Sequence, residues 1–152
     1  MRTGVAAALL ALAALSAAGC GEEETTVSTR PDRDRFEERS TEVVRDWPKI
    51  RPVSGHHDDM LPLEGVEHPR DAAAGKVKVL TLRVGHGACD ADYGALVHET
   101  DKLVVVAGWA VEKDVDVCTD QLLVDRVKVR LKQDLGERGV VDAATGKQLL
   151  DH

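Results

Sequence analysis

Residues 122–132 alternate between apolar and basic side chains, and this pattern is the strongest constraint on the fold. Val127, Val129 and Leu131 occupy alternate positions. The intervening positions are basic: Arg126, Lys128, Arg130 and Lys132. Because successive side chains of a strand point to opposite faces of a sheet, the pattern predicts a half-buried β-strand with a solvated basic face.

Other segments predict further strands. Residues 95–98 and 103–109 flank the polar turn Glu99–Lys102 and therefore predict a hairpin, whose second arm is apolar on both faces and is expected to be central. Strands are also predicted at 76–84 and on both sides of Ala144–Lys147. The predicted fold class is α+β: a small antiparallel β-sheet of about five or six strands with one N-terminal amphipathic helix.

That helix is predicted over residues 32–47. Phe36, Val43 and Trp47 recur at helical spacing on one face, the remaining positions are charged, and Pro48 ends the pattern. A helix this short needs a packing partner, so its apolar side is expected to cover the sheet.

The first twenty residues have the layout of a secretory signal that ends at a cysteine. Arg2 precedes an apolar run over 5–15 that is too short to span a bilayer comfortably, and small residues then lead to Cys20. Residues 16–20 resemble a bacterial lipobox, in which the cysteine is lipidated and the chain is cut just before it. This resemblance implies lipid anchoring through Cys20 at the extracytoplasmic face of the cell membrane, where two acyl chains suffice for stable attachment.

These patterns divide the chain into four parts. Residues 1–19 are predicted to be the signal peptide and 20–31 a disordered tether rich in charge. Residues 32–75 hold the helix and a proline-containing irregular segment, and 76–152 form the β-rich domain.

Charge limits the partners of the mature protein. Removing Arg2 with the signal segment leaves 19 basic against 27 acidic residues, a net charge of −8. This balance argues against nucleic-acid binding, which needs a basic footprint, and disfavours electrostatic adhesion to anionic headgroups. The basic positions of 122–132 could still bind an anionic polymer of the envelope.

The cysteine count favours a disulfide. With Cys20 lipidated, Cys89 and Cys118 remain as a pair in an exported domain, where disulfides persist. A metal–thiolate site would need further ligands, for which His86 is a weak candidate, and a redox pair would normally be Cys-x-x-Cys.

Catalytic chemistry is not expected. The segment 76–152 contains no serine, and pairing of its two cysteines removes the other acyl-transfer nucleophile. No phosphate-binding glycine loop and no cofactor motif is present. We therefore expect a non-catalytic binding or envelope-interaction module, with an envelope protein or an anionic polymer as partner.

A metal-handling lipoprotein is the alternative. Its ligands would come from the chain's only local cluster of imidazole and carboxylate groups: His56, His57, Asp58, Asp59 and His68, with His86 as a further candidate. Adjacent histidines cannot readily share an ion in an extended chain, which favours a solvated polar loop instead.

Several stretches are similar to a family of small actinobacterial lipoproteins. They are Arg35–Arg39 with Val44 and Trp47, Pro62–Leu63, Cys89, Glu99–Asp101, Cys118–Thr119, Arg126–Leu131 and Leu135–Asp142. The resemblance implies export, lipid anchoring and a β-rich domain with paired cysteines. It implies no activity, substrate or catalytic residue.

Overall fold

A computed structural model describes residues 32–55, 60–67, 76–114 and 116–150. The chain forms helix α1 over Arg33–Asp46, close to the predicted bounds. Asp32 caps its start, because the Asp32 carboxylate accepts the N–H groups of Asp34 and Arg35 at 3.1 and 3.2 Å. The predicted helix is therefore confirmed. The predicted signal peptide and tether lie outside the described residues.

Seven strands occur within the described ranges. They are β1 (Leu63–Glu67), β2 (Val79–Gly87), β3 (Asp90–Glu99), β4 (Leu103–Glu112), β5 (Leu122–Arg130), β6 (Gly139–Asp142) and β7 (Gln148–Leu150). One sheet has the order β1-β2-β5 and the other the order β3-β4-β6-β7. Neighbouring strands are antiparallel except β4 and β6, which are parallel.

The α+β class is confirmed, but the predicted single antiparallel sheet is replaced by two sheets. The predicted strand count missed β1, which lies in the segment interpreted as irregular and pairs with β2. Its five residues include Gly65 and two glutamates, so they carry neither the alternation nor the apolar content typical of a strand. The described parts of 32–75 thus pack with the later strands.

Strand β4 lies at the centre of a three-layer arrangement. Val104 and Val106 face the other sheet and pack in a core with Leu80, Leu82 and Val129. The alternate residues of β4 face α1 in a second cluster: Leu103, Val105 and Ala107, with Phe36, Val43 and Val141 among their neighbours. All of these β4 positions are buried, which confirms the predicted central strand. The layers run from α1 through the four-stranded sheet to the three-stranded sheet.

The predicted alternation in β5 is also confirmed. Val129 is buried, Val127 is partly buried against the core, and the basic residues between and beside them are exposed. Only one face of the three-stranded sheet therefore contributes to the core.

A disulfide joins Cys89 to Cys118, with their Cα atoms 5.8 Å apart. It connects the turn between β2 and β3 to the loop before β5, as predicted from the cysteine count. The bond therefore links the β2–β3 turn to the start of β5 at one end of the two sheets.

Candidate functional site

The outer face of the three-stranded sheet carries an uninterrupted group of cations. Arg126, Lys128 and Arg130 point outward from β5, and Arg83 points outward from β2 in the position directly opposite Arg126. All four side chains are exposed. We call these four residues the cationic face. Lys132, the fourth predicted member, lies beyond the end of β5.

The arrangement of the cationic face is unfavourable for the isolated domain. Like charges in directly opposed positions of an antiparallel pair destabilise the sheet, and Arg83 stands opposite Arg126. Glu67 offsets part of this repulsion, because its carboxylate accepts from Nε of Arg126 at 2.8 and 3.1 Å. Both side chains of that pair are well exposed, so the contact adds little stability. Arg83, Lys128 and Arg130 have no ion pair within the described residues.

The same face ends in exposed apolar side chains. Leu122 and Val124 occupy the next two outward positions of β5 and are 66% and 41% exposed. Gly87 and Gly85 stand opposite them on β2, so no β2 side chain rises beside them. We call Leu122 and Val124 the apolar end. Outward side chains on a strand are about 6.8 Å apart, so apolar end and cations form one continuous row.

A polar cluster that the sequence did not predict lies between the two sheets near the disulfide, with His86 buried and Asp125 half exposed. His86 is 7% exposed, and its Nε2 is 2.9 Å from Oδ2 of Asp125 while its Nδ1 is 3.0 Å from the Gly87 carbonyl. The Tyr93 ring stacks on the imidazole with centroids 3.8 Å apart. Asp90 also lies near the imidazole, with its Oδ2 3.9 Å from Nδ1 of His86.

The surroundings of His86 favour its charged form. Burial alone would lower the pKa of His86, but the hydrogen bonds to Asp125 and the Gly87 carbonyl, with the charges of Asp125 and Asp90, raise it above its ordinary value. Since a carbonyl and an ionised carboxylate can only accept, both ring nitrogens donate when the imidazole is protonated. The cluster offers acceptors to both ring nitrogens of a protonated His86. Its nearest cysteine, Cys89, is in the disulfide and is not a nucleophile.

A buried ion pair lies in the loop before β6. Oε2 of Glu99 accepts from Arg138 at 3.0 Å, and both side chains are 7% exposed. The remaining guanidinium hydrogens go to backbone carbonyls, those of Thr100, Gln133, Asp134 and Leu135. Burial opposes ionisation of Glu99, but the Lys132 N–H and Arg138 outweigh it and lower the pKa of the carboxyl. This pair is structural.

Two open clefts of about 560 and 500 Å³ meet at the half-buried side chain of Trp47. Asp101 and Lys102 line both, and Glu137 lines the larger one. Charges of both signs are therefore mixed there, whereas cations outnumber carboxylates on the outer sheet face, where Glu67 contacts Arg126 and Glu64 lies beside Gly85.

The structure gives no view of the proposed metal ligands. His56–Asp59 and His68 lie outside the described residues, and among the described ones no group of three or more His, Cys, Asp or Glu side chains could hold a metal ion. The metal-handling alternative stays a prediction. Cys20 also lies outside the described part, within which no helix is long and apolar enough to cross a membrane.

Comparisons with protein-family models, with curated proteins and with solved structures found no significant match. The similarity to small lipoproteins therefore stays a prediction.

Proposed function

We propose that this chain is a lipid-anchored extracytoplasmic protein whose β domain binds anionic groups, without catalysis, through the cationic face. The observation that carries the proposal is the pairing of Arg83 opposite Arg126 beside Lys128 and Arg130 on a sheet surface that no other described helix or strand covers. Anchoring through Cys20 is supported by the sequence of the first twenty residues.

Segregation of charge supports the binding role. The whole chain has a net charge of −7, yet this one face presents four cations against the carboxylates of Glu67, which contacts Arg126, and Glu64, which lies beside Gly85. A concentrated field of one sign raises the local concentration of oppositely charged ligands and speeds their association. A bound anion also relieves the repulsion between Arg83 and Arg126, so binding is expected to stabilise the fold.

The test uses the mature chain with Cys20→Ala, which takes no lipid, and inorganic polyphosphate as the probe. We expect binding that raises Tm, weakens as salt is raised, and falls by roughly tenfold or more in the double variant Lys128→Glu/Arg130→Glu. Lys49→Glu is the matched control, since Lys49 is exposed just after α1, on the far side of the four-stranded sheet, and should leave affinity almost unchanged. Equal loss in both variants, or no binding at low salt, contradicts the proposal.

A further inference from the structure

We infer that the cationic face docks flat on an anionic phospholipid bilayer, with Leu122 and Val124 entering the interfacial layer. This inference rests on the proposed anion binding and names its partner. Its carrying observation is the continuous outward row on β5, in which two exposed apolar side chains are followed at two-residue spacing by three cations.

The composition of the row fits a lipid surface better than a soluble polyanion. Phosphate groups of either ligand can pair with Arg126, Lys128 and Arg130. A soluble polyanion, however, has nothing apolar to cover Leu122, which is 66% exposed. A bilayer interface offers both a layer of phosphates and an apolar boundary a few ångströms deeper. Only the bilayer therefore uses every part of the face.

The shape of the face also fits a planar partner. Three strands at about 4.8 Å spacing and a nine-residue β5 give an open surface about 10 Å across and 27 Å long. Gly85 and Gly87 carry no side chain beside the apolar end, and the carboxylates of Glu64 and Asp90 lie close to these two positions.

The acidic balance of the chain does not oppose this docking, because the charge is unevenly distributed. Electrostatic attraction to a membrane falls off within about 10 Å at moderate salt, so the face that touches the lipid decides the energy. Each Lys or Arg close to an anionic surface strengthens binding by roughly fivefold. Glu67 opposes part of this effect at Arg126, and the other three cations act without a paired carboxylate in the described chain.

Docking in this pose fixes the orientation of the domain. The three-stranded sheet is the layer farthest from α1, so the helix and the clefts at Trp47 face away from the bilayer. With a lipid on Cys20, docking becomes an intramolecular event at high effective concentration. A low intrinsic affinity of the cationic face for lipid is then sufficient for docking.

The test measures co-sedimentation of the mature Cys20→Ala chain with two kinds of vesicle. One is phosphatidylcholine alone, and the other contains a quarter phosphatidylglycerol. We expect binding to the anionic vesicles only, with a loss of roughly tenfold or more in Lys128→Glu/Arg130→Glu and none in Lys49→Glu. In Leu122→Ser/Val124→Ser we expect a loss of roughly fivefold or more for vesicles, with polyphosphate affinity unchanged.

The outcomes separate the two proposals. Polyphosphate binding without vesicle binding overturns the membrane inference and leaves the proposed function standing. Vesicle binding by Leu122→Ser/Val124→Ser equal to that of the parent also overturns the inference. Absence of binding to both probes overturns both. Because the five side chains substituted in these variants are all exposed, thermal melts should show that each variant keeps its fold.

Discussion

The indole of Trp109 on β4 covers the α-carbon of Gly94, its directly opposed partner on β3. A Cβ added at Gly94 would lie 2.7 Å from Cζ2 of Trp109, closer than real Cβ atoms approach other atoms. The position needs glycine because of this close approach rather than for an unusual backbone angle. The half-buried Trp109 can pack flat against the hairpin because Gly94 on the neighbouring strand has no side chain.

Gly94→Ala should therefore destabilise the domain by about 1–3 kcal/mol, the usual cost of overpacking. Urea unfolding measures the change. Gly85→Ala is the control, because its Cβ would meet the Leu122 and Glu64 side chains at 3.4 Å or more, which is ordinary van der Waals contact. Equal effects of the two substitutions would contradict the role given to Trp109.

The double variant Cys89→Ser/Cys118→Ser should lose about 2–5 kcal/mol of stability, because the bond restricts the unfolded chain of a small domain. Denaturant melts of oxidised parent and variant measure the loss. Mass spectrometry of exported protein should find the two cysteines joined. Free thiols at both positions would revive a metal–thiolate site.

Glu99→Gln should cost about 3–5 kcal/mol at neutral pH, because it leaves the buried Arg138 guanidinium without its counter-charge. The pKa of Glu99 is lowered in the fold, so its contribution to stability is present above the ordinary carboxyl pKa and is lost as pH falls through the folded value. Urea melts from pH 7 into acid should show a shallower decline for Glu99→Gln than for the parent. Glu67→Gln, at an exposed pair, should follow the parent, and a Glu99→Gln curve as steep as the parent's would refute this assignment.

His86 gives the opposite pH dependence. Its pKa is raised in the fold, so its contribution is complete below the ordinary histidine pKa of about 6.5 and is lost as pH rises through the folded value. Asp125→Asn removes the main acceptor and should lower the pKa of His86. Titration of the imidazole by NMR measures it, with Asp101→Asn as a remote control. An unchanged His86 titration in Asp125→Asn would show that Asp125 does not stabilise the protonated imidazole of His86.

Cys20→Ala should move the protein out of the membrane fraction after a high-salt wash. In the proposed anchoring a lipid on Cys20 supplies the salt-resistant part of membrane affinity, while salt screens the proposed docking through the cationic face. Fractionation of cells with immunoblotting measures the distribution. Persistence of a mature-length Cys20→Ala protein in washed membranes would exclude lipid anchoring as the main attachment.

The helix and strands whose apolar residues recur at a regular local spacing were predicted from the sequence. The alternation of β5, the hairpin of β3 and β4, and the apolar face of α1 are each readable within about fifteen residues. The basic positions of β5 were predicted as a possible anion site for the same reason. Arg83 could not be added to them, because its place opposite Arg126 depends on the register of strands far apart in sequence.

Long-range pairings account for what was missed. The polar cluster joins His86, Tyr93 and Asp125 from three strands of both sheets, and the parallel pairing of β4 with β6 crosses about 35 residues. Neither leaves a periodic signal in the sequence. Strand β1 was missed because its pairing with β2, rather than its own composition, makes it a strand.

The first and last parts of the described fold depend on each other as the chain is made. Val141, Ala143 and Ala144 help to form the surface that receives α1, and Nε of Arg39 donates to the Ala143 carbonyl at 3.1 Å. Until residues 139–150 have been synthesised, β4 has an unpaired edge and helix α1 lacks part of the surface against which it packs. A nascent chain stalled before Gly139 would therefore expose apolar surface at both ends, and the described fold can close only once residues 139–150 have been synthesised and released.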